Sequence, residues 1–294
     1  MAKIAFEPVK PNIGAIVHVD RAHLFDDDVA QACLSALEDR GVLVFPQVHL
    51  SDEEQLALTD KLGARVNFTR NAPGGKDAAQ DVYKITLDKD VNGHPEYVLG
   101  TFFWHVDGVT IDQPLPKATL LSARKLSATG GQTEFANLYA AYEQLPDWER
   151  ANIEDLKVVH TIAASMRVFM DEVNEETVVL LNKAVDMVHP FVWTHKSGRK
   201  SLLVGSHADH VVDLPYAHGR ALITRMIEWA GQPDFRYTHQ WQPGDFVVWD
   251  NCGLMHRVVP YDENSGRTMH RTTLAGFEKV SEPAKQRPKE LVST

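Results

Sequence analysis

Three side chains in this 294-residue chain have the types to hold a transition metal while leaving it reactive. They are His105 and Asp107, in Thr101-Phe-Phe-Trp-His105-Val-Asp107-Gly-Val-Thr110, and the distant His256, in Val-Val-Trp249-Asp-Asn-Cys-Gly-Leu-Met-His256. A His-X-Asp pair puts two ligands on one face of an extended segment, because side chains two apart in a strand point the same way. Two neutral imidazoles and one carboxylate on one face of an octahedron, with the other positions open, form the facial triad of non-haem Fe(II) oxygenases.

Spacing alone does not select this site. With 14 histidines in the chain, His-X-Asp also occurs as His18-Val-Asp20 and His207-Ala-Asp209. His18 and Asp20 read as a solvated strand end before a helix. His105 follows Phe102, Phe103 and Trp104, a collar expected to shield a metal from bulk water, although a structural histidine at a strand end is the simpler reading if nothing else accompanies it. What accompanies it lies after His256: Arg267 eleven residues on and Arg271 four further. In a strand both arginines face one side, and the guanidinium fork binds carboxylates in two-point contact, so the pair implies two anionic partners near the metal. The alternative, surface arginines in salt bridges, fits less well with Thr268-Met-His270 and the following Thr272-Thr-Leu-Ala-Gly276, which read as a barrel strand rather than a solvated edge.

The elements needed to position these groups are legible in outline. Ile13 to Asp20 reads as a strand, with a short helix to follow. A helix from Asp26 carries Val29, Cys33 and Leu37 on one stripe and stops at Gly41. Val42-Leu-Val-Phe45 is a short buried strand. Ser51-Asp-Glu-Glu54 is a capping box opening a second helix with Leu58 and Leu62 inward. Residues 67–95 are polar and glycine-rich around a possible strand, Val82 to Thr86, and 67–103 is read as a lid and substrate-loop region. Strands are expected at Ala118–Ser122, after the Thr129-Gly-Gly-Gln-Thr133 turn, at Phe191–Trp193, Ser201–Val204, Phe246–Trp249 and Arg267–Ala275. Helices are expected at Leu138–Leu145 and Asp147–Leu156, and the second half is otherwise strand-rich with one amphipathic helix from about Arg220 to Trp229. Pro243-Gly244 marks a type II turn. Trp193, Trp229 and Trp241 read as core aromatics, and the Lys/Glu/Pro-rich 279–294 as a poorly ordered tail. Short strands with outlying helices favour a mainly β, jelly-roll core in a single domain over 1–294.

Composition narrows the function further. With 44% hydrophobic and 24% charged residues the chain is expected to be soluble and globular, and neither a signal peptide nor a membrane span is evident. A cytoplasmic setting is expected. Two cysteines, Cys33 and Cys252, leave no disulfide framework and no Cys-rich zinc site. A net charge of −10 opposes nonspecific nucleic-acid binding, which needs a basic surface, yet allows a small anion held by local arginines.

Taken together, Gly41-Val-Leu-Val-Phe-Pro46, Trp104-His-Val-Asp107, Thr129-Gly-Gly-Gln-Thr133, His189-Pro with Thr194-His-Lys-Ser-Gly-Arg199, and Trp249-Asp-Asn251 through His256 to Arg267 and Arg271 resemble the taurine/2-oxoglutarate dioxygenases. That family includes the aryloxyalkanoate-degrading enzymes, and the resemblance runs from about Ile13 to Gly276. It implies a double-stranded β-helix with flanking helices, with His105, Asp107 and His256 as Fe(II) ligands. Thr133 and Arg267 would hold the distal carboxylate of 2-oxoglutarate, and Arg271 the acid group of the substrate. The reaction implied consumes O2 and 2-oxoglutarate, releases succinate and CO2, and hydroxylates a substrate carbon. Two positions depart from the taurine pattern: Phe68 stands where a sulfonate-binding histidine is found, and Thr101 where many relatives have asparagine. His207 resembles a pocket residue of some aryloxyalkanoate members; a hydrogen-bonded loop histidine is the plainer alternative. The expected substrate is a small organic anion, an aryloxyalkanoate-like or other apolar carboxylate, handled by a homo-oligomer without nucleic acid or membrane. An alkylsulfonate or alkylsulfate dioxygenase is the alternative, and a non-catalytic jelly-roll binding protein the alternative of another class.

Overall fold

The computed structural model describes residues 3–66, 82–92, 95–110, 114–170, 172 and 174–280. In chain order the strands are β1 (Ile4–Pro8), β2 (Ala15–Val19), β3 (Val42–Phe45), β4 (Tyr83–Ile85), β5 (Ala118–Lys125), β6 (Thr133–Asn137), β7 (Lys157–His160), β8 (Met187–Pro190), β9 (Val192–Thr194), β10 (Lys200–Leu202), β11 (Ala208–Val211), β12 (Arg236–His239), β13 (Phe246–Asp250), β14 (Leu254–Val258) and β15 (Thr268–Leu274). The helices are α1 (Asp27–Arg40), α2 (Asp52–Leu62), α3 (Glu96–Leu99), α4 (Leu138–Glu143), α5 (Asp147–Ile153), α6 (Ile162–Arg167), α7 (Glu175–Lys183) and α8 (Tyr216–Ala230). None of the described helices is long and apolar enough to cross a membrane.

A seven-stranded sheet runs in the order β1-β2-β3-β13-β5-β15-β4. The period-2 alternation of its central strands decides what each face meets. In β13, Phe246 and Val248 pack with α1 and α2 through Val29, Cys33, Leu37, Leu58 and Leu62. Val247 and Trp249 point the other way, with Leu121, Ala123 and Met269, onto Phe135 and Leu254 of the β12-β6-β14 sheet. The site lies between these two sheets, at the mouth of that second layer. A third core, around Trp193, Phe191, Leu202 and Val211, is closed by α8 through Ile223 and Met226.

Helix α2 also anchors the strand that carries Arg271. Ser51 Oγ accepts from the Glu54 amide at 3.2 Å while Glu54 accepts from the Ser51 amide at 2.8 Å, so the expected capping box is present. From that helix the buried Gln55 donates to the His270 carbonyl at 3.0 Å, and Thr59 bonds Thr272 at 2.8 Å. His270 and Thr272 thereby face the helix, and Met269 and Arg271 face the second sheet. His18 is 56% exposed beside Glu7, and Asp20 caps the turn at Ala22, which bears out their reading as a solvated strand end.

Several expectations need correction. The second half holds more than one helix: α6 and α7 precede α8, and α6 is started by the Thr161 hydroxyl, which accepts from Ala164 N–H at 2.8 Å. At six residues α6 is too short to show helical periodicity in the sequence. Strand β1 was not anticipated; it pairs in full antiparallel register with β2. Strand β4 covers three of the five residues expected around it. Phe68, much of the expected lid and residues 281–294 of the tail lie outside the described residues.

Candidate active site

His105 and His256 meet through the backbone before their side chains meet at all. Each amide donates to the other's carbonyl, at 3.0 and 2.9 Å, so an isolated bridge fastens the His105 segment to β14. The two rings then lie with centroids 4.2 Å apart, and donor atoms of His105, Asp107 and His256 all fall within 4.8 Å of one another. His105 Nε2 and Asp107 Oδ1 are 3.8 Å apart, beyond hydrogen-bonding distance but suited to two ligands of one ion.

Neighbouring groups set the ligand atoms. His105 Nδ1 donates to the Phe103 carbonyl at 2.8 Å, which leaves the Nε2 lone pair for a metal. Asp107 Oδ2 accepts from Thr119 Oγ1 at 2.7 Å, and Thr119 accepts in turn from Asn251 Nδ2 at 2.9 Å. Burial pushes the Asp107 pKa up, but the charges of His256, Arg271 and His105 and the Thr119 hydrogen bond outweigh it, and the carboxyl is held below its usual range. Burial, then the charge of His105, lowers His256 to about 3 against the opposing pull of Asp107, so its imidazole is neutral at pH 7. Its Nδ1 is buried with no hydrogen-bond partner among the described residues. An anionic oxygen and two imidazoles, one with a buried nitrogen that bonds no described residue, fit a divalent first-row metal.

The aromatic collar differs from expectation. Phe103 is 38% exposed and contributes its carbonyl rather than its ring, while Trp104 is buried beneath the Arg257 guanidinium. The apolar walls beside His256 come from Trp249 and Phe135, with ring centroids 4.7 and 6.3 Å away.

Two chambers meet at the triad, sharing Thr101, His105 and Asp107. The inner one is lined by Thr133, Arg267 and Arg271 together with Leu121, Val258 and Met269. Thr133 Oγ1 accepts from Trp241 Nε1 at 2.9 Å, so its own hydrogen is free to donate. Arg267, 2% exposed, donates to the Gly131 carbonyl at 3.1 Å, lies over the Tyr261 ring, and keeps a buried Nε without a partner. No carboxylate pairs with Arg267 among the described residues, so donor capacity remains for an anion. Arg271 lies over the Tyr83 ring at 4.8 Å.

The outer chamber is apolar, with Tyr97, Val109, Ile162, Met166 and Phe169 around it and His207 on its wall. Thr101 Oγ1 donates to the Val98 carbonyl at 2.7 Å. Both ring nitrogens of His207 are engaged. Nε2 accepts from the Val106 amide at 3.1 Å, so the proton sits on Nδ1, which donates to His160 Nδ1 at 2.8 Å. Burial, then the charges of His105 and His189, lowers His207 to about 3 and keeps it neutral. His207 therefore reaches the chamber and also clamps the residue between two candidate ligands. The structure brings together every expected site residue that it describes. Sequence reasoning missed Thr119, Trp241, His160, Tyr97, Met166 and Phe169; the Trp249-Asp-Asn251 motif hinted at Asn251, and nothing in the spacing marked the others.

Known proteins resemble this chain over most of its length. Residues 5–273 match the family model described as taurine catabolism dioxygenase TauD, TfdA family. The chain is 34% identical over 248 residues to the alpha-ketoglutarate-dependent 2,4-dichlorophenoxyacetate dioxygenase of Cupriavidus pinatubonensis, covering 81% of this chain and 85% of that protein. It is 29% identical over 259 residues to an alkylsulfatase of Acinetobacter baylyi, covering 85% and 78%. Among solved structures, AAD-2 in complex with Mn(II) and N-oxalylglycine superposes with a TM-score of 0.77 at 32% identity, covering 95% of this chain and 99% of that one.

Proposed function

The chain belongs to the taurine catabolism dioxygenase TauD, TfdA family, and on that premise we propose that it oxidises a small apolar organic acid of the aryloxyalkanoate type. It is a 2-oxoglutarate-dependent non-haem iron dioxygenase, using Fe(II), 2-oxoglutarate and O2. The bound iron and 2-oxoglutarate supply the oxidising chemistry, in which 2-oxoglutarate is decarboxylated to succinate and CO2 and one oxygen atom enters a substrate C–H bond.

In this reading His105, Asp107 and His256 would hold the iron. Thr133 and Arg267 receive the distal carboxylate of 2-oxoglutarate, the hydroxyl donating once and the guanidinium with its spare N–H. Arg271 orients the acid group of the substrate, and Tyr97, Ile162, Met166 and Phe169 bury its apolar body and exclude water. Thr101 stands at the junction of the chambers, and Phe68 is assigned to the same substrate wall on the family pattern alone. Neutral His207 holds Val106, and so the ligand spacing on either side of it. Hydroxylation beside an ether oxygen yields a hemiacetal that collapses to a phenol and a carbonyl acid. We further read the facing sheets as a double-stranded β-helix forming one domain, and assign a cytoplasmic setting and homo-oligomeric assembly to the same proposal.

The observation that carries the substrate class is the apolar outer chamber opening directly onto His105 and Asp107. Substrate-dependent succinate release across phenoxyacetate, 2-phenoxypropionate, taurine and hexyl sulfate tests it. Turnover is expected with the aryloxy acids, and Arg271→Ala is expected to lose that turnover while still binding 2-oxoglutarate. Turnover of taurine or hexyl sulfate alone would contradict the substrate class. Loss of 2-oxoglutarate binding in Arg271→Ala would exchange the roles of the two arginines. The second reading, an alkylsulfate substrate, is favoured by the similarity to the Acinetobacter alkylsulfatase.

A further inference from the structure

A second cavity lies outside both chambers, on the far side of Trp104. It measures about 360 Å³, and Phe103, Trp104, Tyr216, Arg167, Arg220 and Arg257 give it its character. That size falls in the range of roughly 300–1,000 Å³ typical of small-ligand sites. Two walls separate it from the outer chamber. One is helix α6, which turns Ile162, Ser165 and Met166 to the chamber and Ala164 and Arg167 to the cavity. The other is the contact of the Ser206 amide with the Trp104 carbonyl at 2.7 Å.

The charges in this cavity are unevenly neutralised. Arg167 pairs with Asp209, and Arg257 pairs with Glu134 at 2.7 Å while stacking on Trp104. Arg220 is half-buried, donates only to the backbone carbonyls of Ala208 and Asp209, and has no carboxylate partner among the described residues. Among the described residues no acidic side chain lines the cavity. A guanidinium fixed by two carbonyls and lacking a counter-ion is a preorganised site for an anion.

The apolar part is equally unsatisfied. Phe103, Val168 and Tyr216, 38%, 37% and 57% exposed, are among the large apolar side chains the described surface leaves in water, and all three border this cavity. An exposed apolar cluster around an unpaired cation suits a ligand with a flat ring and a carboxylate. We infer that this cavity is a second binding site, for an aromatic carboxylate, separate from the reaction chamber. Because Trp104 adjoins His105 and α6 forms a wall of both spaces, an occupant there touches the same elements that shape the chamber.

Its ligand overlaps in chemistry with the substrate assigned to the iron centre, so the test, with benzoate as the probe, must tell the two sites apart. Enzyme loaded with Fe(II) and 2-oxoglutarate without oxygen is titrated with benzoate by calorimetry. A saturable site is expected that Arg220→Gln and, separately, Tyr216→Ala each weaken by about tenfold or more, while Phe169→Trp, which fills the reaction chamber, leaves it in place. Arg220 also ties down two carbonyls, so Tyr216→Ala decides the matter if Arg220→Gln fails to fold. Unchanged affinity in the variants that fold, or complete loss of benzoate binding in Phe169→Trp, overturns the inference. So does sedimentation showing that copies associate through this face and that association abolishes benzoate binding, which would make the cavity a contact between copies.

Discussion

Asp107 binds nothing by itself; what it can do is decided by Thr119 and Asn251. The Asn251 amide donates to Thr119, Thr119 donates to Oδ2 of Asp107, and Oδ1 is thereby aimed at the imidazoles. Thr119→Val keeps the shape of the side chain and removes the hydroxyl, leaving a buried carboxylate oxygen and a buried amide unsatisfied, at a cost of about 1–3 kcal/mol. Iron affinity in this variant is expected to fall roughly 10–100-fold, as for other groups that orient metal ligands, with 2-oxoglutarate affinity of the iron-loaded protein little changed. Anaerobic iron titration checks it, and unaltered iron affinity would remove Thr119 from the account. The ligand types and both arginines were legible in the sequence, because metal and anion chemistry demand particular residues in particular company, whereas Thr133 was singled out only through the family resemblance. Thr119 and His160 were not legible, and Asn251 only as part of a motif, since a supporting hydrogen bond across 132 residues of chain leaves no local spacing to read. His207 was legible as a residue of interest, but its bond to Val106 became visible only in three dimensions.

Among the elements, the Thr129-to-Thr133 turn holds Arg267, the residue proposed to grip the co-substrate. Gly131 has φ of +78°, and a Cβ there would lie 2.9 Å from Arg267 Nε. Gly131→Ala therefore strains the turn and pushes the guanidinium that its own carbonyl holds. The expected outcome is a KM for 2-oxoglutarate raised about tenfold or more, with kcat at saturating 2-oxoglutarate affected less; an unchanged KM would show that the turn does not position Arg267. This turn, the Ser51 capping box, the Asp27–Arg40 helix with its Gly41 stop and the strand at Val42 were all readable, because each is specified by residues within a few positions of one another. The strands β1, β7, β8, β11, β12 and β14 and helices α3, α6 and α7 escaped. Val158 and Val159 of β7 are buried on both faces, so no alternation marks them, and α6 has fewer than two turns.

At the scale of the whole molecule, the site depends on strands far apart in sequence. β13 lies between β3 and β5, β15 joins β5 to β4, and the His105 segment reaches β14 only through its single bridge. A mainly β class followed from the many short apolar runs, whereas strand order and the existence of two chambers did not, because non-local pairing leaves little trace in a single sequence. The central claim is that His105, Asp107 and His256 hold one iron to which 2-oxoglutarate, gripped by Thr133 and Arg267, binds. Anaerobic addition of Fe(II) and 2-oxoglutarate while recording the visible spectrum tests it most directly. A metal-to-ligand charge-transfer band that requires both additions and is lost in His256→Ala is expected; no band in the wild-type protein, with iron affinity unchanged in His256→Ala, would overturn the claim.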